Sequence, residues 1–130
     1  NPLEIRGNDD RYKLFRFATA AEVLALKPDM KALAIMGDDN ISATAPDDGT
    51  FGTDIVTRVF VPGAGVDEDS VTGSAHAVLA PYWTKILGRN HFTAYQASQR
   101  GGHLGCRLDG DMVWLSGQCV TVVEGQFNLG

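Results

Sequence analysis

The sequence predicts one α+β domain, in which a mostly antiparallel sheet or barrel wraps round a central apolar helix. Three observations support this prediction. Strand-like runs make up much of the chain, one helical pattern is apolar nearly all round, and Asp109-Gly110 forms a strong hairpin signal between two of the runs. The chain has 130 residues, a length that fits one domain with its own core.

The strands follow a short polar start. Residues 1–10 are polar and are expected to be loose, which leaves 11–130 as the single domain. Pro46-Asp47-Asp48-Gly49 is a turn signal that separates two of the strands. The strand-like runs cover residues 12–17, 40–45, 53–61, 91–98, 104–108, 112–115 and 118–124.

Two short helices are predicted between the first and second strands. Thr19 and Glu22 have the spacing of a capping box, which predicts a helix that ends near residue 26. A second helix is predicted over 28–36, with a proline at its first position and Gly37 at its end.

The longest helix is predicted from Gly73 to about residue 87, with Gly88 as its C-terminal stop. Pro81 cannot donate a backbone hydrogen bond, so a kink is expected there. An apolar helix of this kind belongs in the middle of a core. Its apolar residues are Ala75, Ala77, Val78, Leu79, Ala80, Tyr82, Trp83, Ile86 and Leu87.

Composition excludes several classes of function. The net charge of −5 argues against binding to a nucleic-acid backbone as the main role. No run approaches 18 consecutive apolar residues, so no membrane span is predicted. The two cysteines make no disulfide framework, and a reducing cytoplasm is the expected location.

The start of the long helix is the best candidate site. Residues 67–69 are all acidic, and Thr72-Gly73-Ser74 follows them. Backbone N–H groups without helical acceptors and the positive end of the helix dipole favour an anion such as a carboxylate. A neighbouring carboxylate can take a proton from a bound acid, or return one to it.

Three motifs carry a family resemblance. They are the runs at 58–62 (RVFVP), 68–76 (EDSVTGSAH) and 96–102 (QASQRGG). Their order and spacing resemble the phenazine-biosynthesis isomerase family of the PhzF type, within the diaminopimelate epimerase-like group. The resemblance runs from about residue 12 to 125 and covers the second half of such a protein. It implies one of two similar domains that face each other across a cleft, with strands round a central helix.

Asp69 is the leading catalytic candidate, and a role as turn residue or helix cap is the alternative. The resemblance favours catalysis, because the Asp of the family's Glu-Asp-Pro-x-Thr-Gly-Ser motif lines its active site. Ser70 stands where the family usually has proline. Proline would bias Asp69 towards an extended backbone, and Ser70 does not impose that constraint.

The motif at 68–76 contains further candidates, which are expected to lie close to the bound anion. Thr72, Gly73 and Ser74 are predicted to bind the substrate, with helix capping by Thr72 or Ser74 as the alternative. The catalytic set is completed by Ser74 and His76. His76 either shuttles a proton or binds the carboxylate, and the alternative is a first-turn histidine bonded to a core partner.

The second candidate stretch is Arg100-Gly101-Gly102. It could present a guanidinium and backbone amides to a substrate carboxylate, or form a turn whose arginine pairs with an acid of the fold. Arg58 is expected to pair with one of the acids at 67–69. His91 and His103 have no ligand-spaced companions, so both are expected to be structural and no metal site is predicted.

The cysteines argue against one mechanism. Racemases of the wider fold group use two thiols, one of them at the helix start that corresponds to residues 72–74. This chain has no cysteine there, and Cys106 and Cys119 lie inside predicted strands. A buried, small apolar role is expected for both, and two-thiol racemisation is disfavoured.

The resemblance implies a cofactor-independent isomerase that acts on small hydroxy or amino carboxylic acids by proton transfer. The family's principal catalytic glutamate belongs to the other domain, and Glu68 does not replace it. We therefore expect a homodimer, or a partner that supplies the missing domain. The alternative is a non-catalytic domain that binds small carboxylates or a protein partner.

Overall fold

The structure is a computed structural model that describes residues 1–7, 11–128 and 130. Its described residues form one seven-stranded sheet and three α-helices, which gives the predicted α+β class. The strands are β1 (Glu4–Gly7), β2 (Tyr12–Arg16), β3 (Asn40–Pro46), β4 (Ile55–Phe60), β5 (His91–Gln96), β6 (Gly102–Asp109) and β7 (Met112–Ser116). The helices are α1 (Ala20–Leu24), α2 (Met30–Ile35) and α3 (Gly73–Leu87). None of these helices is long and apolar enough to cross a membrane.

The strands are hydrogen-bonded in chain order from β1 to β7. The pairs β2–β3 and β4–β5 are parallel, and the other four pairs are antiparallel. Each parallel pair is joined by a helical crossover, and such crossovers are almost always right-handed. Because β4 runs opposite to β3, the second crossover goes to the opposite face of the sheet from the first.

The two faces of the sheet therefore carry separate apolar clusters. On one face, α1 packs Ala20 and Val23 against residues of β3 and β4 such as Ala43 and Val56. On the other face, α3 packs against strands from both ends of the sheet. That second cluster contains Leu14, Ile55, Leu79, Ala80, Trp83, Phe92, Ala94, Leu104 and Cys106.

Helix α3 has the predicted bounds. It begins after Thr72 and ends at Gly88, whose φ of 66° is the left-handed conformation that glycine adopts most readily. The helix assignment continues through Pro81. Burial is one-sided, however: Leu79 and Trp83 are buried, whereas Val78 and Ile86 are 38% and 41% exposed. The prediction of an apolar helix buried all round is therefore met on one side of α3 only.

The structure differs from the sequence prediction at both ends of the chain. Residues 4–7, expected to be loose, form β1, because Ile5 pairs with Phe15 of β2. Residues 8–10, which belong to the same N-terminal segment predicted to be loose, lie outside the described residues. The strand predicted over 118–124 does not form, because no described strand pairs with this segment. Cys119, predicted to be buried in it, is exposed.

Candidate functional site

The candidate site lies where β4 and β5 end. These strands are parallel, with Thr57 opposite Gln96, so their carboxyl ends meet at the same edge of the sheet. The loop after β4 leads through residues 61–72 to α3, and the loop after β5 contains residues 97–101. The topology therefore brings the second and third sequence motifs together.

Asp69 is held at both its backbone and its carboxylate. Its N–H donates to the Val59 carbonyl at 2.9 Å, and its carbonyl accepts from Gln96 Nε2 at 2.8 Å. Its Oδ1 accepts from the backbone N–H of Ser70 at 2.8 Å, and its Oδ2 accepts from the Thr72 hydroxyl at 2.5 Å. Proline at position 70 would lack that N–H, so Ser70 supplies a bond to Asp69 that proline cannot make.

The first turn of α3 has free backbone donors. The Thr72 side chain makes no capping bond to the helix, because its hydroxyl donates to Asp69 instead. Gly73 and Ser74 are exposed. Within the described part of the chain, the N–H groups of Gly73, Ser74 and Ala75 have no hydrogen-bond acceptor. The capping alternative is thus not what the structure shows, and three donors remain for an anion.

A cavity of about 590 Å³ opens beside this helix start. Its volume is within the range of small-molecule sites. The predicted substrate-binding residues Gly73, Arg100, Gly101 and Gly102 share its wall. The rest of the lining consists of Val71, His103, Leu104, Leu115, Ser116, Gly117 and Gln118.

Two of the glycines in this wall, Gly101 and Gly102, allow close packing. Gly101 has a φ of 70°, and a Cβ there would collide with the Tyr95 hydroxyl. A Cβ on Gly102 would lie 2.5 Å from Val71 Cγ2. A side chain at Gly101 would therefore displace the Tyr95 side chain, and one at Gly102 would push this loop away from Val71, which precedes α3.

Arg100 is exposed and has no hydrogen-bond or ion-pair partner among the described residues. It borders the cavity at the helix start and also a second one of about 410 Å³, which Asp67, Glu68 and Ser70 help to line. The alternative role for Arg100, pairing with an acid of the fold, is not what the structure shows. Its guanidinium remains available to a bound carboxylate.

Arg58 has the predicted structural role. Its Nε and Nη2 donate to the two Glu68 oxygens at 2.7 and 2.9 Å, which makes a bidentate ion pair. Its Nη1 donates to the Leu26 carbonyl at 2.7 Å. Glu68 is therefore committed to holding the loop that precedes Asp69 against β4 and the end of α1.

His76 lies beneath the site and does not line the cavity. It is fully buried, its Nδ1 is 2.8 Å from the Thr72 carbonyl, and its Nε2 is 3.2 Å from the Thr57 hydroxyl. Because a carbonyl only accepts, Nδ1 carries the proton and Nε2 accepts from Thr57. Burial lowers the pKa of His76 below its usual range, with the Thr72 carbonyl acting as a weaker opposing influence. This environment agrees with the alternative for His76, a first-turn histidine that is hydrogen-bonded to partners in the core.

Gln96 is the site residue that the sequence analysis did not select. It is fully buried, and its Oε1 accepts from the Thr72 N–H at 2.7 Å. Its Nε2 donates to the Asp69 carbonyl and, at 3.0 Å, to the Thr72 hydroxyl. The available signal was its spacing: Phe92, Ala94 and Gln96 share one face of β5, so a glutamine occupies a core-facing position.

The structure thus brings together some candidates and separates others. Asp69 contacts Thr72, while Gly73 and Arg100 share a cavity that Asp69 does not line. No group of three histidine, cysteine or acidic residues in the described part of the chain could hold a metal ion. His91 and His103 are exposed, and His103 packs against Tyr95 with ring centroids 4.8 Å apart.

Comparison with known proteins identifies relatives over nearly the whole chain. An uncharacterized isomerase of Pseudomonas aeruginosa is 41% identical over 128 residues, which are 98% of this chain and 48% of that protein. A human phenazine biosynthesis-like domain-containing protein is 47% identical over 81 residues, 62% of this chain and 28% of that protein. The chain spans about half the length of the first of these relatives.

Solved structures show the same fold. A phenazine biosynthesis PhzC/PhzF protein of Clostridium difficile superposes with a TM-score of 0.82 at 33% identity, over 99% of this chain and 48% of that one. A PhzF-family protein of Enterococcus faecalis gives 0.78 at 35% identity, over 87% and 42% of the two chains. The family described as Phenazine biosynthesis-like protein matches residues 11–125, and the chain belongs to that family.

Proposed function

We propose that the chain is the acid-binding half of a two-domain isomerase, which moves protons on small hydroxy or amino carboxylic acids without metal or organic cofactor. The observation that carries the proposal is the set of N–H groups without acceptors at the start of α3, where Gly73 lines a cavity that Arg100 also borders. Both features attract a carboxylate. The name isomerase belongs to the Pseudomonas aeruginosa relative and supports the reaction class.

Asp69 is the group we assign to proton transfer. Its Oδ2 accepts a hydrogen bond from the Thr72 hydroxyl, and Thr72 is the residue immediately before α3. Its backbone is fixed by Val59 and Gln96, so the carboxylate is held in place before a substrate binds. A fixed carboxylate beside a bound acid can accept a proton from one carbon and deliver it to another.

We also propose that the sheet curves round α3. Leu14 of β2 and Leu104 of β6 belong to the cluster round Trp83 of α3. In a flat sheet these two strands would be about 19 Å apart, four strand spacings, whereas a helix is only about 10–12 Å wide. Strands that far apart reach one helix if the sheet curves round it, as the family resemblance implies.

The cleft needs a second half. We propose that a second copy of the chain in a homodimer, or the half of the relatives' length that this chain does not match, covers the cavity at the helix start. The principal base then comes from that half, and Asp69 acts with it. The unpaired state of Cys106 and Cys119 fits a reducing compartment such as the cytoplasm.

One observation favours a second candidate function, binding without catalysis. The lining of the cavity at the helix start contains no carboxylate: Glu68 lines only the second cavity, and Asp69 lines neither. A cavity with a cation and free amides but no base can bind an acid and leave it unchanged. Proton exchange distinguishes the two functions.

The test uses a single polypeptide in which this chain is fused to the half of the Pseudomonas aeruginosa relative that it does not match. Candidate hydroxy and amino acids are incubated with it in deuterated water, and mass spectrometry detects a gain of deuterium at carbon. We expect exchange that falls by about 10²-fold or more in Asp69→Asn, which keeps the shape of the side chain but removes the carboxylate that acts with the principal base.

The matched control is Asp67→Asn, which removes an exposed charge from the same loop and should leave the exchange rate unchanged. Full exchange in a folded Asp69→Asn protein would contradict the role of Asp69. Tight binding of the acids without any exchange in the unsubstituted polypeptide would establish the binding function instead.

A further inference from the structure

Tyr95 lies against the loop that carries Arg100. Ala94, its neighbour in β5, belongs to the cluster round α3, so the Tyr95 ring lies on the opposite face of the sheet. The Tyr95 hydroxyl occupies the space that a side chain at Gly101 would need. The ring of Tyr95 therefore contacts the residue that directly follows Arg100.

Two ring contacts hold Tyr95 in this place. Phe51, from the loop between β3 and β4, stacks on it with ring centroids 4.2 Å apart and planes inclined by 17°. His103 is opposite Tyr95 in the register of β5 and β6, and its ring centroid lies 4.8 Å away. Both separations are typical of attractive aromatic pairs. The orientation of the Tyr95 ring is thus set from two other elements of the fold.

The loop that supplies Phe51 is itself fixed by a carboxylate. Asp47 Oδ2 accepts from the backbone N–H groups of Phe51 and Thr53 at 3.0 and 3.1 Å. These bonds hold the backbone of Phe51 next to β4 and β5. The stack on Tyr95 is therefore built on an ordered turn.

Arg100 needs support from its backbone, because its side chain has no partner among the described residues. Two glycines follow it, and glycine gives the chain the widest choice of conformations. The Gly101 N–H donates to Ser98 Oγ at 3.0 Å, and Ser98 Oγ donates to the Ser70 carbonyl at 2.8 Å. Those bonds fix the nitrogen of Gly101, and Tyr95 fills the space beside its α-carbon.

We propose that Tyr95 is a positioning residue for acid binding. Held by Phe51 and His103, it keeps Gly101 in its left-handed conformation and so directs Arg100 towards the cavity at the helix start. This inference rests on the proposed function and adds a residue that touches no substrate, since Tyr95 does not line the cavity. Its effect on binding passes through the loop, because a binding group that is displaced by about 1 Å loses much of its effect.

The first measurement needs no ligand. NMR relaxation on the 130-residue chain gives backbone order parameters for residues 99–101. We expect values near about 0.85 in the unsubstituted chain and below about 0.6 in Tyr95→Leu, which removes the ring. Trp114→Leu removes a ring that is 57% exposed on β7 and should leave these values unchanged. Low values in the unsubstituted chain, or equal values with and without the Tyr95 ring, would overturn the proposal.

The second measurement asks whether Tyr95 acts through Arg100. The dissociation constant of a hydroxybenzoate is determined for Arg100→Ala, for Tyr95→Leu and for the double variant. We expect Arg100→Ala to weaken binding about tenfold and Tyr95→Leu at least about fivefold. In a chain that already carries Arg100→Ala, Tyr95→Leu should change the constant by less than about twofold. Equal fold losses in both backgrounds would overturn the proposal, because a general structural effect would not depend on Arg100.

Tyr95→Phe is a second variant for the case in which Tyr95→Leu does not fold. It keeps the ring contacts and removes only the hydroxyl that lies against Gly101. We expect order parameters lower than in the unsubstituted chain and binding that is about threefold weaker, a loss that again disappears with Arg100→Ala. Tyr82→Phe, which removes a hydroxyl that donates to Glu4, is the matched control and should change neither quantity.

The two measurements separate this inference from the proposed function. A chain that binds no hydroxybenzoate would contradict acid binding, and the order parameters would still decide whether Tyr95 holds the loop. Binding and order parameters that are unchanged in the folded Tyr95 variants would overturn the role of Tyr95 and leave the acid site in place.

Discussion

At the residue scale, a single buried amide organises the candidate site. Gln96 accepts from the Thr72 N–H and donates to the Asp69 carbonyl, so it ties β5 to the loop before α3. The Thr72 hydroxyl, which also accepts from Gln96, is then oriented to donate to Asp69. The position of the proposed catalytic carboxylate thus depends on a residue 27 positions away in the sequence.

We predict that Gln96→Leu destabilises the fold, because it leaves buried polar groups of Asp69 and Thr72 without partners. The free energy of unfolding, measured by urea denaturation, should fall by about 2–4 kcal/mol. Gln99→Leu, an exposed glutamine in the neighbouring loop, should change it by less than about 0.5 kcal/mol. Similar values for the two variants would show that the network is not structural.

His76 makes stability depend on pH. Burial lowers its pKa below the value of 6.5 for the unfolded chain, so the unfolded state binds the proton more readily. The stabilisation is therefore complete above pH 6.5 and is lost as the pH falls through the lowered pKa. The free energy of unfolding should decrease below pH 6.5 by up to about 1.4 kcal/mol per pH unit.

The comparison of His76→Gln with His91→Gln isolates this contribution. The first variant should lose the histidine's part of the pH dependence between pH 7 and 5, while the second, at an exposed position, should keep it. An unchanged slope in His76→Gln would mean that His76 does not titrate as its burial implies.

At the element scale, elements with their own local signals were predicted well. The bounds of α3, its stop at Gly88 and the hairpin at Asp109-Gly110 were all confirmed. The expected pairing of Arg58 with an acid of 67–69 was also confirmed. Each depends on glycine conformation, apolar spacing or charge within a few residues, which the sequence displays directly.

Elements that depend on a distant partner were predicted poorly. Residues 4–7 form a strand only because β2 is there to pair with them, and polar composition gave no sign of it. Residues 118–124 show the opposite error: their pattern predicts a strand, but no described strand pairs with them. Gln96 was missed for a related reason, since its partners are 24 and 27 residues away in sequence.

The two cysteines provide a test of these elements. Cys106 is buried in β6, and burial raises its pKa to about 12, whereas Cys119 is exposed in the segment after β7. We predict that a thiol reagent at pH 8 modifies one thiol per native chain, at Cys119, and the second only after unfolding. Equal rates at both cysteines, mapped by mass spectrometry, would contradict the burial of β6.

At the scale of the whole molecule, one face of the described domain carries polar groups without partners and exposed apolar side chains. The start of α3, the cavity beside it and the exposed segment 118–127 all lie at one end of the domain, where β4, β5 and β7 finish or continue into loops. Free amides, an unpaired arginine and uncovered apolar residues are the features expected of a face that another domain covers. In our proposal, the half of the relatives' length that this chain does not match covers this face and completes the site.

The central claim is that this face binds a small carboxylate at the start of α3. It is tested most directly by titrating the isotopically labelled chain with a hydroxybenzoate and following the backbone amides by NMR. We predict saturable shifts at the amides of residues 73–75 and 100–102, absent with the corresponding neutral amide of the same ring. Shifts confined to another surface, or equal shifts with the neutral compound, would contradict the claim.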